Sequence, residues 1–187
     1  VHKKPVTQKK QAITKPIAAK NKTQQNTLVN KTKDTAKQVE KWVKMSRPQL
    51  DLVYKKAKAG KLPQGDTLGT AILAGGPLPR LFARAARILA WQGKVFDIFS
   101  PDFNSGVVVN KVSPVGLNLI VAKTYRSQSW MDGQDTIVID YSATSLFARQ
   151  IRDEIREVEP GLYLGKVWWG KTRILDFALE THKVCAQ

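Results

Sequence analysis

The sequence predicts a mainly β protein: a small antiparallel barrel or strongly curled sheet with one or two amphipathic helices, preceded by a basic, partly helical N-terminal extension. Three observations carry this expectation. Short stretches rich in Val, Ile, Leu and aromatic residues recur from about residue 62 onward, bounded by Gly, Pro and Asp clusters. Most connections between them are too short for a crossover helix, so neighbouring strands must pair antiparallel. The charge is also partitioned. The 187 residues hold 31 Lys+Arg against 15 Asp+Glu, but residues 1–60 hold 16 basic and 3 acidic side chains and residues 61–187 hold 15 and 12. A nearly balanced domain therefore follows a strongly basic leader.

The leader comes first. Residues 1–38 are dominated by Lys, Gln, Thr and Asn and contain no aromatic side chain. Such a composition buries too little apolar surface to offset ordering entropy, so this part reads as a mobile, low-complexity tail. Its basic groups are all Lys, with no Arg before Arg47, which argues against an Arg-rich targeting segment and against bidentate base recognition. Residues 39–61 read as a helical linker, within a helical pattern running from about Thr35 to Ala59. Val39, Trp42, Val43 and Met45 form an apolar stripe, interrupted at Ser46-Arg47-Pro48. Ser46 can cap a second helix with Pro48 in its first turn and Asp51 near its positive end. Lys55, Lys56 and Lys58 suit the carboxyl end, and Gly60 is a natural stop.

Residues 62–182 read as the barrel-like domain and 183–187 as a C-terminal tail. Residues 67–73 form a short strand. Pro79 can open a helix to about Trp91, with Arg80, Arg84 and Arg87 on one side. Those three are either a solvated face or a lid whose guanidinium groups attract an anionic ligand. Strands follow from Trp91, over 106–112 and over 117–126, where Ile120, Ala122 and Thr124 share a face. Residues 130–134, built on Asp132-Gly133, read as a hairpin turn into a strand over 136–141. Residues 142–156 read as a second amphipathic helix, since Phe147, Ile151, Ile155 and Val158 recur at four, four and three. The end of this segment also alternates like a strand, with Ile155, Glu157 and Glu159 on one side, and that alternative stays open. Residues 162–169 and 172–180 form the last two strands, about seven in all.

The residue inventory excludes several chemistries. With two His and one Cys, neither a Cys/His zinc cluster nor an intrachain disulfide can be built. No metal and no cofactor is expected: there is no phosphate-binding loop and no dinucleotide fingerprint. No stretch approaches the roughly 18 apolar residues of a membrane helix. The chain starts with Val rather than Met, which suggests a removed leader and favours a periplasmic or secreted location over a cytoplasmic one.

The runs Ser129-Trp130-Met131-Asp132-Gly133, Ile137-Val138-Ile139-Asp140-Tyr141-Ser142, Ile151-Arg152-Asp153-Glu154-Ile155-Arg156 and Pro160-Gly161-Leu162-Tyr163-Leu164-Gly165 resemble a family of uncharacterised bacterial proteins. In outline the domain is also similar to lipocalin-like and fatty-acid-binding-like barrels, although their Gly-x-Trp near the first strand is met only by the reversed Trp91-Gln92-Gly93. This second likeness implies a barrel that holds one apolar ligand.

Candidate ligand-binding residues are the polar groups set among apolar neighbours and the aromatic side chains able to wall a pocket: Arg84, Arg87, Trp91, Arg126, Trp130, Asp140, Tyr141, Arg152, Tyr163, Trp168 and Asp176. Asp153 also sits oddly among apolar neighbours. Asp140 and Asp176 lie in otherwise apolar strands, either on a solvent face or paired with Arg inside a cavity. Adjacent Trp168 and Trp169 must point to opposite faces. No catalytic residue is singled out. The leading function is non-enzymatic binding of a small apolar or amphipathic ligand, lipid or fatty-acid-like, with the Lys-rich residues 1–60 attaching to an anionic polymer, lipid surface or nucleic acid. The alternatives are an interaction module of a larger assembly that binds nucleic acid or an envelope polymer through the leader, and a small cofactor-free isomerase or cyclase relying on Asp, Tyr and Arg.

Overall fold

The structure of the protein, a computed structural model, describes residues 14–73, 91–98, 105–112, 120–143 and 148–181. The helix expected from Pro79, with Arg84 and Arg87, and the tail 183–187 lie outside the described residues. The chain divides into two units, Val1–Gln38 and Val39–Gln187. Helix α1 spans Thr14–Val43, beginning well before the helical pattern expected from about Thr35. Helix α2 spans Arg47–Lys56. Its start follows the local chemistry: Pro48 occupies the first turn, and the Gln49 side chain accepts the Ser46 backbone N–H at 2.9 Å. It stops at Lys56, four residues before Gly60.

Eight strands follow: β1 Gly65–Ile72, β2 Trp91–Ile98, β3 Ser105–Val112, β4 Ile120–Gln128, β5 Asp135–Asp140, β6 Ile151–Glu159, β7 Leu162–Trp169 and β8 Thr172–Thr181. They pair in sequence order, all antiparallel, and β8 pairs with β1 to close the barrel. The β4–β5 hairpin turns on Asp132-Gly133 as its sequence requires. Ser129 N–H donates to Gln134 O at 2.9 Å, and Gly133 takes a positive φ of 70°.

Of the segment expected as a second helix, residues 148–150 are a turn and residues 151–156 are strand, the alternative left open for its end. Residues 151–159 form β6, paired with β5 and β7. The spacing that suggested a helix does not separate the two states, because positions four apart share a face in a strand as well as in a helix. Ile151 and Ile155 face the interior; Arg152, Glu154 and Arg156 face outward.

Two apolar clusters result. The interior holds Phe96, Val108, Ala122, Ile137, Ile139, Ile155, Tyr163, Leu175, Phe177 and Leu179. A second cluster lies on the outside of the barrel, where Val39, Trp42, Leu50 and Tyr54 pack with Ile72, Leu162, Leu164 and Ala178. Strands β5 to β8 are consequently buried on both faces, which explains their long apolar runs. Polar links fasten α2 there. Tyr54 OH bonds Thr136 Oγ1 at 2.8 Å, Arg47 donates to Ile174 O at 2.9 Å, and Asp51 accepts Lys166 at 2.9 Å and also Arg173. Arg156, fully buried, donates two hydrogen bonds to Asp132 at 2.6 and 2.7 Å and so pins the β4–β5 hairpin to β6.

Candidate functional site

Within the barrel, one group of polar side chains interrupts the apolar lining. Lys94 on β2, Asp153 on β6 and Tyr141 just past β5 are exposed by only 2%, 4% and 2%. Lys94 Nζ donates to Tyr141 OH at 2.6 Å and to Asp153 Oδ2 at 2.9 Å, and Tyr141 OH donates to the same Asp153 oxygen at 3.0 Å. The ammonium also lies 5.3 Å from the Tyr141 ring centroid and 5.7 Å from that of Phe177.

Local structure explains how Lys94 is aimed inward. Strands β1 and β2 share only two ladder pairs, Gly65↔Phe96 and Asp66↔Val95. Beyond them the Thr67 hydroxyl takes over, donating to Lys94 O at 2.6 Å and accepting Lys94 N–H at 3.0 Å. The preceding Gly93 has φ 131°, and a Cβ there would lie 2.0 Å from Thr67 O. Only glycine permits this approach. Asp153 is held by β6, whose alternation places it between Ile151 and Ile155 on the inner face.

Burial pushes the Lys94 amine below its ordinary value; the charge and hydrogen bond of Asp153 oppose this without cancelling it. A further polar side chain lies on the inner face, two residues from Ala122 of the interior cluster. Thr124 on β4 is 1% exposed, and its hydroxyl has no hydrogen-bond partner among the described residues. Thr124 pairs with Ile139, and Ile139 with Asp153, so the three stand at one level of the barrel. Across two strand spacings, Thr124 and Asp153 are about 10 Å apart at the backbone.

The candidates from the sequence separate into several places. Tyr141 and Tyr163 face the interior, and Tyr163 OH donates to Lys61 O at 2.8 Å. Trp130, Arg152 and Trp168 come together on the outside. The two indoles meet edge to face at 6.0 Å, and the Arg152 guanidinium lies 4.4 Å over the Trp130 ring. Trp168 Nε1 is buried with no hydrogen-bond partner among the described residues, whereas Trp169 is 45% exposed and donates to Gln150 at 2.7 Å. Arg126 is exposed and donates to Gly60 O. Asp140 lies on the outer face, accepting from Tyr125 OH at 3.0 Å and Ser142 N–H at 2.8 Å. Asp176 is also on the outer face, yet buried at 1% exposure, with Lys166 at 2.9 Å. The Arg–carboxylate pairing entertained for these strand acids is thus replaced, inside the barrel, by Lys94 and Asp153. The backbone of Trp91 opens β2; its side chain, like Arg84 and Arg87, lies outside the described residues.

Sequence reasoning missed Lys94 and Thr124, and it marked Asp153 as a polar group among apolar neighbours without placing it among the ligand-binding residues. The signal was present. Lys94-x-Phe96, Ala122-x-Thr124 and Ile151-x-Asp153-x-Ile155 each put a polar side chain on an apolar strand face. Reading residues 142–156 as helix hid the third.

Among the described residues no group of three or more His, Cys, Asp or Glu could hold a metal ion, and no helix is long and apolar enough to cross a membrane.

The fold is that of a closed, eight-stranded antiparallel β-barrel with a polar trio in its apolar interior. No protein-family model matches the chain, and no curated protein matches it significantly. Among solved structures, the chain is similar to a protein from Thermomonospora curvata, at 18% identity over 80% of this chain and 99% of that one, with a TM-score of 0.49.

Proposed function

We propose that the barrel is a non-enzymatic carrier that holds one small apolar or amphipathic molecule of the lipid or fatty-acid type in its interior, while the Lys-rich leader attaches it to an anionic surface. The buried trio of Lys94, Tyr141 and Asp153 is the observation that carries this reading. A buried ion pair adds little or nothing to stability compared with apolar side chains of the same volume. Its retention on the inner face of the barrel, with the Thr124 hydroxyl, which has no hydrogen-bond partner among the described residues, at the same level, therefore suits recognition of a polar group on a bound molecule. Barrels of eight strands have an interior of the right width for side chains or one small ligand.

Native mass spectrometry and displacement of the neutral dye Nile red by decanol test the proposal. Binding at one site per chain, weakened in Ala122→Phe, which narrows the interior, supports it. Absence of both dye binding and decanol retention in the intact protein overturns it. The leader reading has its own observation, the surplus of 13 positive charges in residues 1–60. Retention on an anionic matrix that falls steeply with salt supports it.

A further inference from the structure

We propose that Lys94 is the attachment point for a small hydrophobic aldehyde or ketone, which the barrel captures as a Schiff base. This rests on the carrier reading above and narrows it to one chemical class of ligand.

Charge balance comes first. Lys94 and Asp153 neutralise each other at 2.9 Å, with both side chains exposed by 6% or less. A ligand carboxylate added to this pair would place two anions around one ammonium in a poorly solvated space. A carbonyl compound brings no charge. Its protonated Schiff base carries the same single positive charge as the ammonium it replaces, so the Asp153 carboxylate keeps its counter-ion before and after capture.

The surroundings supply what imine chemistry needs. A lysine is nucleophilic only as the free amine, and desolvation among apolar and aromatic groups favours that form. Lys94 Nζ lies 5.3 Å from the Tyr141 ring centroid and 5.7 Å from that of Phe177, and burial lowers its amine below the ordinary value. Proton carriers are already in contact, the Tyr141 hydroxyl at 2.6 Å and the Asp153 carboxylate at 2.9 Å.

The steps balance. The Lys94 ammonium passes one proton to Asp153. The freed nitrogen lone pair forms a bond to the carbonyl carbon, and the C=O π pair moves to oxygen. Tyr141 relays a proton from nitrogen to that oxygen, giving the neutral carbinolamine. Asp153 returns its proton to the hydroxyl, which leaves as water while the nitrogen lone pair forms the C=N bond. One ammonium and one carbonyl become one iminium and one water, with no change of oxidation state. Exclusion of bulk water then slows the reverse hydrolysis. Asp153 and Tyr141 are positioning and proton-relay groups; the bond forms at Lys94.

Decanal with cyanoborohydride at pH 7, followed by peptide mass mapping of the full chain, tests this directly. Burial lowers the Lys94 amine below its ordinary value and so raises its reactive fraction, so Lys94 should be alkylated faster than any exposed lysine. Lys94→Arg keeps the positive charge and should lose that adduct; should this variant not fold, mapping of the unmodified protein alone decides. Labelling spread over exposed lysines, with Lys94 no faster, overturns the inference. Decanol separates the two failures. If decanol displaces Nile red but decanal leaves Lys94 unmodified, the carrier reading stands and the Schiff base falls. If neither probe enters, both fall.

Discussion

At the scale of single residues, Lys94 and Asp153 form an ion pair on the inner face of the barrel, where a buried pair adds little to stability compared with apolar side chains. Asp153→Asn would leave the buried Lys94 charge without its counter-ion and should cost about 3–5 kcal/mol, whereas the double replacement Lys94→Met with Asp153→Leu should be close to neutral. Urea unfolding of the two variants measures the contrast. Equal destabilisation by both would make the pair a structural element. Gly93 is the second sensitive position. With φ 131° and Thr67 O 2.0 Å from any Cβ, Gly93→Ala should cost about 2–4 kcal/mol, again read from the urea midpoint. These positions were legible in part. A polar residue on an apolar strand face is visible in the sequence; whether that face turns toward the barrel interior or toward a covering helix is not. Asp176 shows the difference: it alternates with apolar residues as Asp153 does, yet it lies outside the barrel, against Lys166.

At the scale of elements, α2 and the hairpins decide how the barrel wall is covered. The Tyr54 hydroxyl bonds Thr136 at 2.8 Å, and Thr136 in turn donates to Ile155 O at 3.0 Å. Tyr54→Phe removes the first bond and leaves the second, so it should cost only about 1–2 kcal/mol, measurable as a lowered melting midpoint. The ring keeps its packing and its contact with the Arg156 guanidinium, 4.4 Å away. Short-range chemistry was readable here: the start of α2 at Ser46 and Pro48 and the Asp132-Gly133 hairpin both follow local rules. Strand β6 was not, because its apolar spacing of four satisfies both periods. Pairing with β5 and β7, a non-local event, settles it.

At the scale of the whole molecule, electrostatics should give stability a defined response to acid. Hydrogen bonds from Arg156 hold the Asp132 carboxyl below the ordinary range. Burial pushes Asp51 up, but Arg173 and Lys166 bring it below that range overall. A carboxyl whose pKa is lower in the folded than in the unfolded chain stabilises the fold above its unfolded value, and that contribution is lost as pH falls through the folded value. The melting midpoint should therefore change little between pH 7 and pH 5 on this account and drop below about pH 4. Circular dichroism melts across that range check it, and Asp132→Asn should flatten the acid limb. Both apolar clusters lie within Val39–Gln187. Deleting residues 1–38 should then leave the melting midpoint of the barrel in place while weakening retention on an anionic matrix.

The mainly β class, the antiparallel order of the strands, the hairpin turns and the basic leader were set by the sequence alone, because each depends on composition or on neighbours a few residues apart. Closure of β8 onto β1, the covering of β5 to β8 by α2 and the meeting of Lys94, Tyr141 and Asp153 were decided by the tertiary structure. The physical reason is distance along the chain. Lys94 and Asp153 are 59 residues apart, and only the curvature that joins the first strand to the last brings their charges within one hydrogen bond.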